Sequence, residues 1–377
     1  EASYRRYHAD EPAIAALTEF TPEELYAQAV DAARKVIDSK LYSLNKAGET
    51  PYRDLFTRES PLTNENILVL CASGANGYLG TTNWWFNVAT YGRMWSPVRS
   101  FVNTYLNTDG SRFTDQADYA RKSFSQELVG RDKRLEQSIR GLNYLYDGEV
   151  TVAQLGIANL TGYHMIKFSQ DGQQYENGKN TNSIPIIRYA EVLLNYAEAK
   201  AELGEFDDAV WDKTIKPLRE RAGVDGTRPT QIDEYLQNAY YSTDDGNPKI
   251  TDCDILEIRR ERAIELLLEG RRYDDLMRWH LGGLLNKQWY GIYIGEVDKA
   301  YDLNNDGVND VCVTDKAGSE PGVKYIVRNS ERTLEEGNSG RLVYNLQRYF
   351  DEQRYVHPIP KTALDKNPDL GQNAAWK

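Results

Sequence analysis

The sequence predicts a mainly α protein, a scaffold of stacked helix pairs carrying an irregular, loop-rich lobe with few short strands. Three observations lead there. Apolar residues recur at helical spacing over 21–44, 184–223 and 254–283. The last two segments are each broken by a glycine, Gly204 and Gly270, as paired antiparallel helices are. Residues 45–183 and 284–345 instead carry frequent Gly, Asn, Thr and Tyr, with only short apolar runs.

The opening EASYRRYH reads as the tail of a helix broken at Asp10–Pro12, which predicts further residues upstream. TPEELYAQAVDAARKVIDSKLYSL (21–44) is the first full helix. Thr21 caps it with Glu24 three residues on, and Pro22 suits the first helical position. Its stripe is Leu25, Ala29, Ala32, Ala33, Val36 and Ile37. NILVLCA (66–72) and YHMIKF (163–168) are expected as short strands within the loop-rich part. Helix resumes over 184–223 and again over 254–283.

FDDAVW (206–211) and YDDLMRW (273–279) resemble each other, and Phe206 and Tyr273 stand 67 positions apart. That is close to two periods of the ~34-residue tetratricopeptide repeat, whose small-residue and turn positions match Ala197, Gly204, Phe206 and Ala209. Small residues let paired helices approach, and stacked pairs bury a core that one pair cannot bury alone. The C-terminal HPIPKTALDKNPDLGQNAAWK has too few regular apolar positions for a helix. Ile359, Leu364, Leu370 and Trp376 predict an arm packed onto the body.

Composition narrows the function. At 377 residues with 27% charged and 11% aromatic residues the chain is globular. A net charge of −12 and the absence of any basic stripe exclude nucleic acid as a partner, and the acidic balance disfavours acidic polymers as ligands. Cys71, Cys253 and Cys312 are far apart and odd in number, so they give neither a disulfide framework nor zinc spacing. No run of about 18 apolar residues spans a bilayer. Tyr outnumbers Phe 26 to 9, which favours rings with a polar tip for a wet surface or site.

IPIIRYAEVLLNYAEAKAELGE (184–205), ERAIELLLEGRRYDDLMRW (261–279), GRDKRLEQSI (130–139) and HPIP (357–360) together resemble the SusD/RagB family of Bacteroidota outer-membrane nutrient-binding lipoproteins. IPIIRYAEVLLNYAEAKAELGE (184–205) is similar to the family's most characteristic helix. ERAIELLLEGRRYDDLMRW (261–279) resembles its Glu-Arg…Glu-Gly-x-Arg-Tyr-x-Asp-Leu-x-Arg-Trp segment, and GRDKRLEQSI (130–139) its Arg-Asp-x-Arg-Leu element. TDGSRF (108–113) sits at an Asp-Gly turn, and HPIP (357–360) with NPDLGQNAAW (367–376) looks like the closing signature. The matches follow the family's order from about residue 20 to 377. Relative to that pattern the N-terminal part is short and the lipidated cysteine is not present in the sequence.

The resemblance implies four regions. Residues 1–50 are a helical repeat part lacking the family's N-terminal portion, and 51–183 a ligand-binding lobe. Residues 184–283 are tetratricopeptide-like helix pairs, and 284–377 an irregular region with the C-terminal arm. It further implies a surface-exposed outer-membrane lipoprotein that delivers poly- or oligosaccharide to a SusC-like TonB-dependent transporter. Membrane attachment would come only through an upstream lipid anchor. A peptide-capturing relative and a protein–protein scaffold are the alternatives.

NWWFNVATYGRMW (83–95) is the candidate ligand loop. Trp84, Trp85, Tyr91 and Trp95 offer faces for the C–H side of a sugar, while Asn83, Asn87 and Arg93 offer hydroxyl partners. The competing reading makes these rings anchors of a loop-rich lobe. DLNNDGVND (302–310) places Asp302, Asn304, Asp306 and Asp310 around Gly307 as a calcium loop opens, yet Val313 stands where the bidentate glutamate belongs, so a solvated turn competes. No other cofactor is expected. Glu261, Glu265 and Glu269 lie four apart amid Arg260, Arg262, Arg271 and Arg272, and read as an ion-pair network. No pair of carboxylates is marked out for glycoside hydrolysis. The four histidines are scattered without metal spacing. The expected protein is therefore a binder and not an enzyme.

Overall fold

The computed structural model describes residues 1–73, 75, 77, 95–146, 148–152, 155, 159–170, 178–243, 249–330 and 332–377. Helix outweighs strand, 38% against 14%, so the mainly α reading holds. In chain order the helices are α1 (Ala2–Tyr7), α2 (Pro12–Ala15), α3 (Pro22–Ser39), α4 (Asp54–Thr57), α5 (Arg99–Val102), α6 (Phe124–Leu128) and α7 (Lys133–Ser138). They continue with α8 (Tyr189–Glu202), α9 (Asp208–Lys213), α10 (Ile215–Arg221), α11 (Cys253–Glu265), α12 (Arg272–Arg278) and α13 (Lys361–Lys366). The strands are β1 (Asn66–Leu70), β2 (Leu145–Tyr146), β3 (Glu149–Val150), β4 (Ile184–Arg188) and β5 (Trp289–Ile294). After them come β6 (Ala300–Tyr301), β7 (Val311–Thr314), β8 (Lys324–Val327), β9 (Arg332–Leu334) and β10 (Gly340–Tyr344).

The capping box of α3 forms as expected: the Thr21 hydroxyl accepts from the Glu24 amide, and Glu24 accepts from the Thr21 amide. The helix stops at Lys40, which adopts left-handed φ +54°. Its buried residues Tyr26, Val30 and Ala33 meet Tyr196 and Ala199 of α8 and Val210 of α9. The opposite side of α8, through Ala190, Leu194 and Ala197, packs on Trp211, Ile215, Leu218 and Ile258. So α8 lies between α3 and α9–α11, and its alanines permit the close approach. A third, larger cluster joins Val102, Leu135, Tyr163, Leu256, Ile292, Val313 and Leu342.

Among the described residues the strands form four small sheets. β1 pairs antiparallel with β4, β2 with β3, β10 lies between β5 and β9, and β7 pairs antiparallel with β6 and parallel with β8. Three local expectations are corrected. Residues 184–188 are strand, because Pro185 lacks an amide proton and the β-branched Ile184 and Ile187 pair with β1; helix begins only at Tyr189. Residues 163–168 make a single bridge, Ile139 to Met165, and then a turn. All six side chains there are buried, so no solvent face exists to set a strand's alternation. The C-terminal arm contains α13, and its Leu370 is 56% exposed, while Trp376 donates to the Val356 carbonyl.

Between Ile255 and Glu265 every residue of α11 is buried, and six of those eleven are charged. Such a helix survives because its carboxylates and Arg260 and Arg262 form ion pairs, while the Arg259 guanidinium lies over the Tyr7 and Trp279 rings. Glu265 accepts from Arg134 at 2.8 Å, from Arg188 at 2.5 Å and from Arg221. Glu261 accepts from Arg134 and Arg219, and Glu269 from Arg188 and Lys167. The carboxylates are thus saturated, as an ion-pair network requires, but by Arg134, Arg188, Arg219, Arg221 and Lys167 from distant elements and not by the neighbouring Arg260, Arg262, Arg271 and Arg272.

Candidate functional site

Asn83, Trp84, Trp85, Asn87, Tyr91 and Arg93 lie outside the described residues. Trp95 is described, and it is half-buried. It packs against Tyr52, Leu55, Phe56 and Phe168, and it also lines an open cleft of about 690 Å³. Both readings of the loop meet in this one residue: it anchors the lobe and borders a cavity.

The far wall comes from elements remote in sequence. The turn between α11 and α12 supplies Leu267, Leu268 and Gly270, the start of α12 supplies Arg272 and Tyr273, and β5, β10 and the segment after β10 supply Trp289, Tyr344 and Leu346. Trp289 and Tyr344 are direct cross-strand partners, so the sheet register sets their rings side by side. Tyr273 is 48% exposed. Gly270 takes φ +78° and Leu268 φ +60° to turn the chain into α12. For a leucine that conformation carries strain. The turn is held from behind: Lys167 donates to the Leu267 carbonyl at 2.6 Å and to Glu269 at 2.7 Å, and Arg188 and Tyr52 donate to the Glu265 carbonyl. Burial pulls the Lys167 ammonium down to about 8, Glu269 opposing and Arg188 adding to the fall.

A side lobe of about 280 Å³ shares Ser96, Pro97, Leu267, Leu268, Arg272 and Trp289 with the cleft and adds Lys287 and Gln288. The Arg348 guanidinium lies 4.0 Å from the Trp289 ring centroid. Rings for apolar faces and polar side chains for hydroxyls therefore stand around one space. Sequence reasoning reached Trp95 and missed Tyr273, Trp289 and Tyr344. The aromatic run WYGIY (289–293) was a sequence signal for Trp289 alone.

In the 302–310 loop, Asp302 accepts from the amides of Asn304, Asn305, Asp306 and Gly307. Asp310 accepts from the Leu303 amide, and Asn304 donates to Asp306. Burial first, and then the charges of Asp306 and Asp302, push the Asp310 carboxyl up. Among the described residues no group of three or more His, Cys, Asp or Glu side chains is placed to hold a metal ion. The histidines, scattered in sequence, are partly gathered by the fold: His8 and His280 have ring centroids 4.5 Å apart, and burial takes His8 down to about 4.

No helix among the described residues is long and apolar enough to cross a membrane. A search of curated protein sequences gave no match. The family model described as the SusD family matches residues 80–376. Among solved structures, a SusD-like protein of Bacteroides fragilis NCTC 9343 aligns with a TM-score of 0.59 at 16% identity, over 93% of this chain and 62% of that one. A SusD-like carbohydrate binding protein of the same organism aligns with a TM-score of 0.59 at 20% identity, over 96% and 68%. The chain thus spans roughly two thirds of the length of these structures.

Proposed function

The chain belongs to the SusD family, and on that premise we propose that it is a non-catalytic glycan-binding protein of the cell surface. It captures a poly- or oligosaccharide and delivers it to a SusC-like TonB-dependent transporter in the outer membrane. An upstream lipid anchor would hold it there. The observation that carries the reading is the cleft in which Trp95, Tyr273, Trp289 and Tyr344 face one space of about 690 Å³. That one solved relative is described as carbohydrate binding supports it.

A sugar ring sets its C–H face on an aromatic ring and its hydroxyls against polar groups at the edge. The Arg348 guanidinium occupies one face of Trp289, which leaves the other face and the ring edge for ligand. The loop ending at Trp95 would add Trp84, Trp85 and Tyr91 as platforms, with Asn83, Asn87 and Arg93 as hydroxyl partners. Covering ~50–100 Å² per ring at about 25 cal/mol/Å² is worth roughly 1–2 kcal/mol, so single contacts are weak and repeats along a polymer add avidity. The non-catalytic reading is supported by Glu261, Glu265 and Glu269 each being engaged by buried guanidinium or ammonium groups.

Affinity electrophoresis through gels containing a panel of polysaccharides tests the proposal. Retardation by at least one polymer is expected, weakened roughly five- to thirtyfold in Trp289→Ala. Binding of peptide mixtures with no retardation by any polysaccharide would overturn it, and release of reducing ends from a bound polymer would make the protein an enzyme.

A further inference from the structure

The chain carries 57 acidic residues against 45 basic ones. Yet no described residue lining the cleft or its side lobe is Asp or Glu, while Arg272 lines both and Lys287 lines the lobe. The segregation extends along the sequence. From Asn66 to Thr108 there is no acidic residue, although 43 residues at the chain's average would hold about six. Val150–Gln170, Leu276–Gly295 and Gly337–Phe350 are equally free of acids. These four stretches supply every wall of the cleft except the turn at 267–273. In that turn Glu269 is neutralised by Arg188 and Lys167.

Arg272 and Arg348 make none of the carboxylate ion pairs, among the described residues, that saturate the helical core. Arg272 donates one bond to the Tyr240 hydroxyl at 3.0 Å, and its Nη1 has no hydrogen-bond partner there. Arg348 donates to the Lys287 carbonyl at 2.7 Å, and its Nε and Nη1 have none. Lys287 meets the carbonyls of Ala239 and Tyr240 and adds a third positive charge. A guanidinium out of bulk water with no anion is unfavourable, and a ligand anion that arrives relieves it. The chain's overall negative charge does not forbid this, because salt screens charges beyond a Debye length of about 8 Å.

We propose that the cleft takes an acidic glycan, whose sugars carry carboxylate or sulfate groups that pair with Arg272 and the field of Arg348 and Lys287. The inference rests on the glycan reading and narrows its ligand class. It also reverses, for this one face, the expectation drawn from net charge that acidic polymers are disfavoured.

The full chain is tested by affinity electrophoresis and calorimetry against matched pairs: polygalacturonate and its fully methyl-esterified form, and dextran sulfate and dextran. The acidic member is expected to bind at least tenfold more tightly than its neutral counterpart, and which pair responds tells carboxylate from sulfate. Binding should weaken as sodium chloride rises from roughly 50 to 500 mM. Arg272→Gln, and separately Arg348→Gln, should each lose at least tenfold for the acidic member; Arg348 has no partner in the helical core, so its variant remains informative if Arg272→Gln misfolds. Equal or better binding of the neutral members, with no effect of salt or of either variant, sinks this inference and leaves the glycan reading standing. Capture of acidic peptides with no polysaccharide bound removes both.

Discussion

Replacing Glu198 by glutamine should destabilise the protein by an amount that depends on pH in a defined way. Glu198 is 5% exposed; Arg278 makes two bonds to it and Trp279 donates its indole N–H at 2.8 Å. Burial by itself would raise its pKa, but Arg278, Arg262 and the hydrogen bonds outweigh it and hold the carboxyl at about 2, against an ordinary 4.5. A carboxyl held low in the native state adds stability above its unfolded pKa and loses it as pH falls toward the native one. At about 1.4 kcal/mol per pKa unit the contribution is about 3 kcal/mol at pH 7, and linkage reduces it to about 2 kcal/mol at pH 3.5. Urea unfolding of the two proteins in parallel, at pH 7, 5 and 3.5, reads the difference between them. A difference that stays constant over that range would show that the amide variant fails for a reason other than charge.

Lys167→Met should change the alkaline limb instead. With its ammonium at about 8 in the native state against 10.5 ordinarily, native protein sheds this proton first. Wild-type stability should therefore rise relative to the variant by about 3 kcal/mol between pH 8 and 10.5, and a difference independent of pH would refute it. Gly291→Ala should cost more than about 2 kcal/mol by thermal unfolding, since a Cβ there would lie 2.2 Å from the Thr161 carbonyl oxygen. Calcium at Asp302, Asn304, Asp306 and Asp310 is tested by calorimetry after chelation: binding should give a saturable heat that Asp302→Ala abolishes, and a flat millimolar titration retires the idea.

Much of the scaffold was legible because its signals are local. Thr21 caps α3 in both sequence and structure, and Gly204, at φ +71°, follows the end of α8 as the glycine break predicts. What escaped depends on distant partners. Ile184–Arg188 fits a helical period as well as a strand, and only pairing with Asn66–Leu70 decides. The buried α11 carries too many charges to read as core until Arg134, Arg188, Arg219 and Arg221 arrive around it. The cleft was legible only at Trp95. Tyr273 sat in a helix-pair motif, and Trp289 and Tyr344 became neighbours through a sheet register that no local pattern announces.

The ionic centre around Glu265 has a consequence for how the chain reaches its native state. Its members come from positions 65, 134, 188, 221 and 265. While synthesis is still short of residue 265, Arg134, Arg188 and Arg221 have only Glu65 among these carboxylates to gather round. Closure must wait until residue 265 has been made and for loops of up to two hundred residues to shut, which slows folding. A gene truncated before α11 should yield no soluble fragment.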